Sequence, residues 1–199
     1  MKLVLATNNF DKIREMRNLL DGTGIEILTS KDFDDFPDIE ETGTTLEENA
    51  ILKSEGIFKA TGLPSLADDS GLEVDALNGE PGVYSSRWAG PGCTYDDNNR
   101  KLLKELEGVA KNKRTARFRC VIAVTFGAGH TETVEGSAEG YITEQKISAG
   151  KGFGYDPVFF YPPLDKTFAE ISLDDKNKVS HRGQALIKAR KLLEDKLVD

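Results

Sequence analysis

Residues 117–126 place Phe118, Cys120, Ile122, Val124 and Phe126 at every second position. Alternation over that length describes a strand with one buried face. Gly127 to Gly129 turn the chain, and Thr131 to Ile142 reads as an antiparallel partner. The middle of the sequence is therefore a long hairpin. The N-terminus follows a different rule. Lys2 to Thr7 is a short apolar strand, and Asp11 to Leu20 carries Ile13, Met16, Leu19 and Leu20 on one helical stripe ended by Gly22 and Gly24. Ile25 to Leu28 is a second strand, so this part forms a parallel βαβ unit. A parallel unit followed by a hairpin implies a mixed sheet.

The remaining elements fit that frame. Thr45 to Thr61 reads as a helix that a Thr44–Glu47 or Thr45–Glu48 capping box starts and that Gly62 and Pro64 stop. Leu72 to Leu77 alternates like a strand, Asn78-Gly79 turns, and Asp96 to Leu106 is helical. Gly150 to Gly154 is a glycine-rich loop leading to a short strand, Pro157 to Phe160, and the last helix covers about Asn177 to Leu197. With no repeat or linker, 199 residues form a single domain, residues 1–199, with a substantial core.

A net charge of −8 argues against non-specific duplex binding and so against a nucleic-acid partner. It leaves room for small anionic substrates, because a local cluster of Lys and Arg binds phosphate on an acidic protein. No apolar run reaches membrane-spanning length, and the N-terminus is too short and polar for a signal peptide. Cys93 and Cys120 have neither a disulfide-framework nor a metal-ligand spacing. They read as reduced thiols in a cytoplasmic protein.

The chemistry centres on Ala67-Asp68-Asp69-Ser70-Gly71, where an apolar strand is expected to end in two carboxylates and then turn. Adjacent acids repel unless a cation sits beside them. Mg²⁺ is one answer, and a solvated acidic turn is the other. Glu40 and Glu41 precede the Thr45 helix and supply further oxygen ligands of the kind that select Mg²⁺ or Mn²⁺ over zinc. Thr7-Asn8-Asn9-Phe10-Asp11-Lys12 joins strand to helix, where free N–H groups attract anions. Lys12 opposes the helix dipole and makes sense as a phosphate partner, while Asn8 and Asn9 also suit a plain turn and cap. Lys53 shares a helix face with Asn49 and is either a surface lysine or directed at the acidic strand. The loop bearing Phe153 and Tyr155 is neither a P-loop nor a dinucleotide fingerprint. It is either a tight turn or a stacking clamp for a planar base. Lys176, His181 and Arg182 flank the last helix start, as a solvated basic face or as donors to a purine carbonyl.

Seven short motifs occur in order: Thr7-Asn8-Asn9-x-x-Lys12, Glu40-Glu41-Thr42-Gly43, Glu48-Asn49-Ala50-x-x-Lys53, Ala67 to Gly71, Pro81 to Ser85, Gly152 to Pro157 and Ser180-His181-Arg182. Together they resemble the inosine triphosphate pyrophosphatase family over nearly the whole chain. The resemblance implies an elongated, two-lobed α/β fold with a long central mixed sheet flanked by helices and a cleft between the lobes. It implies a homodimer that hydrolyses noncanonical purine nucleoside triphosphates (ITP, dITP, XTP) between the α and β phosphates, with Mg²⁺ as cofactor and Mn²⁺ as its substitute. It assigns the triphosphate to Thr7, Asn8, Asn9, Phe10, Asp11, Lys12 and Lys53. Proton abstraction falls to Asp69, and metal binding to Asp69 with Glu41 or Glu40, Asp68 being a further candidate. Ser70 is implied as a substrate contact, and Phe153, Gly154, Tyr155, Asp156, Lys176, His181 and Arg182 as the base and sugar pocket. Asn8 stands where relatives commonly have glycine.

Overall fold

The structure is a computed structural model that describes residues 1–147 and 152–198, with side chains through Lys196. Gly150 and Lys151 of the expected glycine-rich loop lie outside the described residues. Eight strands form one mixed sheet in the order β2-β1-β3-β5-β6-β7-β8, with β4 on β3. β1 (Lys2–Leu5) runs parallel to β2 (Glu26–Leu28) and to β3 (Ser65–Val74). β4 (Pro81–Gly82) is antiparallel to β3. β5 (Thr115–Gly127) and β6 (His130–Ile142) are sheet neighbours joined at Ala128 and Gly129, the expected hairpin. β7 (Phe159–Tyr161) and β8 (Lys166–Thr167) extend the sheet antiparallel from β6.

The helices begin where their caps dictate. Asn9 Oδ1 accepts from the Asp11 and Lys12 amides and starts α1 (Phe10–Leu20). The Thr45–Glu48 capping box starts α2 (Leu46–Thr61), and Gly62, at φ +68°, closes it by donating to the Phe58 carbonyl. A Thr94–Asp97 box starts α3 (Tyr95–Glu105).

By compactness the chain divides into two units. The first comprises residues 1–69, 120–136 and those from Arg182 onward. In it, Leu3 and Leu5 pack with Met16, Leu20, Ile122 and Leu193, while Val4 and Ala6 pack on the other sheet face with Ile57 and Ala67. β1 is thus buried on both faces, as an internal parallel strand should be. The second unit comprises residues 70–119 and 137–181, and its core includes Leu72, Leu102, Phe118, Ile142, Phe159 and Phe168.

Three expectations change. β3 does not turn at Ser70-Gly71 but runs straight through the acidic pair to Val74. Buried cations beside Asp68 and Asp69, described below, remove the repulsion that would favour a solvated turn. β5 is buried on both faces, because Val121, Ala123 and Thr125 are as enclosed as the alternating set. The alternating face also splits: Phe118 packs in the second unit's core, while Cys120, Ile122 and Val124 pack in the first. The last helix is two helices, α4 (Leu173–Val179) and α5 (His181–Val198). Ser180 separates them with extended dihedrals, φ −73° and ψ 158°. No helix among the described residues is long and apolar enough to cross a membrane.

Candidate active site

The first unit gathers the acidic residues around buried cations. Asp68 and Asp69 lie on β3 just past Leu66, which pairs with Leu5 at the C-terminal end of β1. Successive residues of a strand point to opposite sides, and the two aspartates accordingly meet different partners. Asp68 Oδ2 receives Lys12 Nζ at 3.0 Å and Arg182 Nε at 3.1 Å. Burial alone would raise the Asp68 carboxyl, but Lys12, Arg182 and Lys53 outweigh it and hold the group well below the usual carboxylate range. Arg182 also donates to Glu15 Oε2 at 2.7 Å, and both side chains are almost fully buried.

Asp69 faces α2. Lys53 Nζ lies 3.2 Å from its Oδ1, and the Asn49 amide donates to its Oδ2 at 3.3 Å. The shared face of Asn49 and Lys53 therefore looks onto the acidic strand. Lys53 also donates to the Asp68 carbonyl and to Glu41 Oε1, each at 2.7 Å. Burial works against the Lys53 charge, yet Asp69, Asp68 and Glu41 raise its affinity for the proton. Burial pushes Asp69 the other way from Asp68, above the ordinary value, with Lys53 opposing and Glu41 reinforcing the shift.

Glu41 reaches Lys53 because its loop is clamped to α2. The Gly43 amide donates to Asn49 Oδ1 at 2.8 Å. A Cβ on Gly43 would fall 2.6 Å from that oxygen and 2.7 Å from Glu48 Cβ, so only glycine permits this approach. Glu40 is exposed, and it is Glu41 that meets the lysine. Glu41 and Asp69 both pair with the Lys53 ammonium, and carboxylate oxygens are also the ligand type that holds a hard divalent cation. No cluster of three or more metal-ligating side chains occurs among the described residues.

At the start of α1, the Thr7 hydroxyl accepts from the Asn9 amide, and Asp11 pairs with Arg14. Asn8 is exposed, and Phe10 is 71% exposed under the Lys31 ammonium. Ser70 follows Asp69 on β3 and is half-buried.

The second unit holds the expected base residues other than Arg182, which belongs to the first. Asp156 Oδ2 accepts from the Phe153 amide at 2.8 Å and from Lys176 Nζ at 2.7 Å. A Cβ on Gly152 would collide with the same oxygen, so the loop requires glycine there. Lys176 lies 4.7 Å from the centre of the Phe153 ring, a cation–π contact. The Tyr155 hydroxyl donates to the Ser85 carbonyl at 2.9 Å, and burial pushes the phenol upward. His181 stacks on Phe118, with 4.5 Å between ring centres and 11° between planes. Arg182, expected at the base, commits Nε and one terminal nitrogen to Asp68 and Glu15.

The sequence reading missed Glu15. Its signal was present, since Lys12 and Glu15 are three residues apart and share a helix face. Glu15→Ala removes one buried carboxylate partner of Arg182, and should cost about 3 kcal/mol of stability. Chemical denaturation at neutral pH checks this.

The comparisons with known proteins run through all these elements. A dITP/XTP pyrophosphatase of Thioalkalivibrio sulfidiphilus is 55% identical over 188 residues, covering 94% of this chain and 95% of that protein. One from Bacillus subtilis is 48% identical over 191 residues, 96% of each chain. The solved Ham1 protein of Staphylococcus aureus matches with a TM-score of 0.89 at 41% identity, over 98% of this chain and all of that one. A HAM1 protein from Coxiella burnetii matches with a TM-score of 0.91 at 43% identity, over 98% and 99%. The sequence model of the Ham1 family spans residues 3–192, from β1 into α5 and so across both residue clusters, and the chain belongs to the Ham1 family.

Proposed function

We propose that this chain is a divalent-metal-dependent nucleoside triphosphate pyrophosphatase that acts on dITP, ITP and XTP. The observation that carries the reading is the convergence of Asp69 of β3 and Glu41 of the loop before α2 on Lys53 of α2. The names of the relatives, dITP/XTP pyrophosphatases, support the substrate class. Glu41 and Asp69 are the residues that would hold Mg²⁺, with Mn²⁺ as substitute. A divalent ion held there would neutralise phosphate charge.

The protein groups divide the remaining work. The Thr7–Lys12 turn offers the Lys12 ammonium to the triphosphate, and Asp68 holds that ammonium in place. Lys53 neutralises the phosphate side of the acidic group. Asp69, pushed upward by burial, accepts the proton of the attacking water. Attack at the α phosphorus releases pyrophosphate and leaves the nucleoside monophosphate. Arg182 is assigned to anchoring Asp68, and Ser70 to the sugar-phosphate. Phe153 is assigned to stacking on the base, and Lys176 and His181 to donating to it. Such donors favour the 6-oxo group of hypoxanthine or xanthine, and leave the adenine amine unpaired at a cost of about 1–3 kcal/mol. We further read the enzyme as a cytoplasmic homodimer, on family resemblance alone.

The test is a panel of ITP, dITP, XTP, GTP, ATP and modified pyrimidine triphosphates, with and without Mg²⁺. Monophosphate and pyrophosphate in equal amounts, from the inosine and xanthosine substrates and only with metal, are expected. Release of orthophosphate instead would overturn α–β cleavage, and turnover of pyrimidines alone would overturn the base assignment.

A further inference from the structure

Helix α3 starts at Tyr95 and carries Asn99 one turn later. Asn99 is 2% exposed. Its amide nitrogen donates twice, to the Tyr95 carbonyl and to the Gly154 carbonyl, each at 2.9 Å. One buried amide thus ties the first turn of α3 to a loop 55 residues away. Both bonds need N–H donors, which fixes the orientation of the amide. The side-chain oxygen is left without a hydrogen-bond partner among the described residues. An unpaired buried acceptor carries a cost that an apolar side chain would avoid. Asn99 is therefore suited to its position by its donors rather than by its packing.

The two segments it joins bear neighbouring aromatic rings. Gly154, at φ +62°, follows Phe153 directly. The Tyr95 and Phe153 ring centres are 6.2 Å apart with planes tilted by 43°. Tyr95 is 46% exposed, so this aromatic pair has an open side. The described residues around Gly154 are already anchored: Asp156 holds the Phe153 amide, Lys176 holds Asp156, and Tyr155 bonds the Ser85 carbonyl. The Gly154 carbonyl between these anchors is held by Asn99.

We propose that Asn99 is a positioning residue that sets the Phe153 ring against Tyr95 and so sets the grip on the purine base, with no part in the hydrolytic step. This rests on the reading of the Phe153 loop as the base site. Loss of the amide frees the Gly154 carbonyl and slackens the Phe153 ring. The phosphate-binding groups of the first unit are left as they were.

Asn99→Ser is the sharpest variant, because a helical serine hydroxyl still bonds the carbonyl four residues back but is too short to hold Gly154. Asn99→Leu removes both bonds. Both variants are expected to raise KM for ITP and Ki for inosine monophosphate about tenfold, with kcat within about twofold of the parent. Inhibition by inorganic pyrophosphate, which reports only the phosphate end, should not change. Phe153→Leu is measured alongside. If it leaves KM unchanged, the base-site reading fails. If it raises KM while both Asn99 variants do not, the positioning role alone fails. If the Asn99 variants do not fold, or lose kcat and pyrophosphate affinity along with base affinity, Asn99 is a structural residue and the proposal is overturned.

Discussion

Asp69→Asn is expected to leave the fold intact and to cut turnover by about 10²–10⁴-fold, the usual range for losing a positioned general base. The reason lies in which protonation state the surroundings favour. Burial and the nearby Glu41 raise Asp69, and Lys53 only partly offsets them. A neutral amide of the same shape removes the charge that burial disfavours and keeps one oxygen for Lys53, at the loss of the bond from the Asn49 amide. Lys53 keeps two acceptors, Glu41 and the Asp68 carbonyl. Thermal melting should thus stay near the parent while steady-state hydrolysis of ITP collapses. The pH profile gives a second reading. A base must be ionised to work, so protonation of Asp69 should set the acidic limb of kcat/KM. That limb should vanish from the residual activity of the variant. A variant as active as its parent would remove Asp69 from the chemistry.

Much of this site was legible in the sequence because its parts obey local rules. Asn49 and Lys53 could be placed on one helix face by spacing alone, and both do bond Asp69. The Thr45–Glu48 box and Gly62 fixed the ends of α2, and with them the height of Lys53 along β3. What could not be read depends on partners distant in sequence. The acidic pair suggested a turn because two adjacent aspartates look solvated when Lys12 and Arg182 are out of view. Once a helix residue and one from α5 flank Asp68, the strand continues through it. The same cause hid Glu15, whose partner Arg182 is 167 residues away. The break at Ser180 escaped because the composition on either side of it is helical, and only the backbone shows that the chain is extended there. In β5, periodicity identified the strand but not its second buried face, since Val121 and Ala123 are covered by whatever packs above them.

Asp68→Asn should behave in the opposite way to Asp69→Asn, with its main effect on stability. The Asp68 side chain is fully buried and its Oδ2 is shared by Lys12 and Arg182. Removing one partner of a buried ionic group costs about 3–5 kcal/mol, because the cations stay buried without their counter-charge. The lower end applies here, since Glu15 still serves Arg182 and the Lys12 side chain is 17% exposed. For a chain of this length, that lowers Tm by roughly 6–12 °C. The sign of the pH dependence follows from the direction of the shift. The folded carboxyl is held below its unfolded value, so the folded state binds the proton less readily. Its stabilisation is complete at neutral pH and above the unfolded aspartate value. It is lost as the pH falls from about 4 toward the folded value, at about 1.4 kcal/mol per pH unit. The stability gap between parent and variant should therefore be constant from pH 8 to pH 5 and narrow between pH 4 and pH 3. Urea unfolding across that series measures it. A gap that does not close in acid would mean that Asp68 holds Lys12 and Arg182 by shape rather than by charge. The ordering of the phosphate turn would then rest on the Asn9 cap instead.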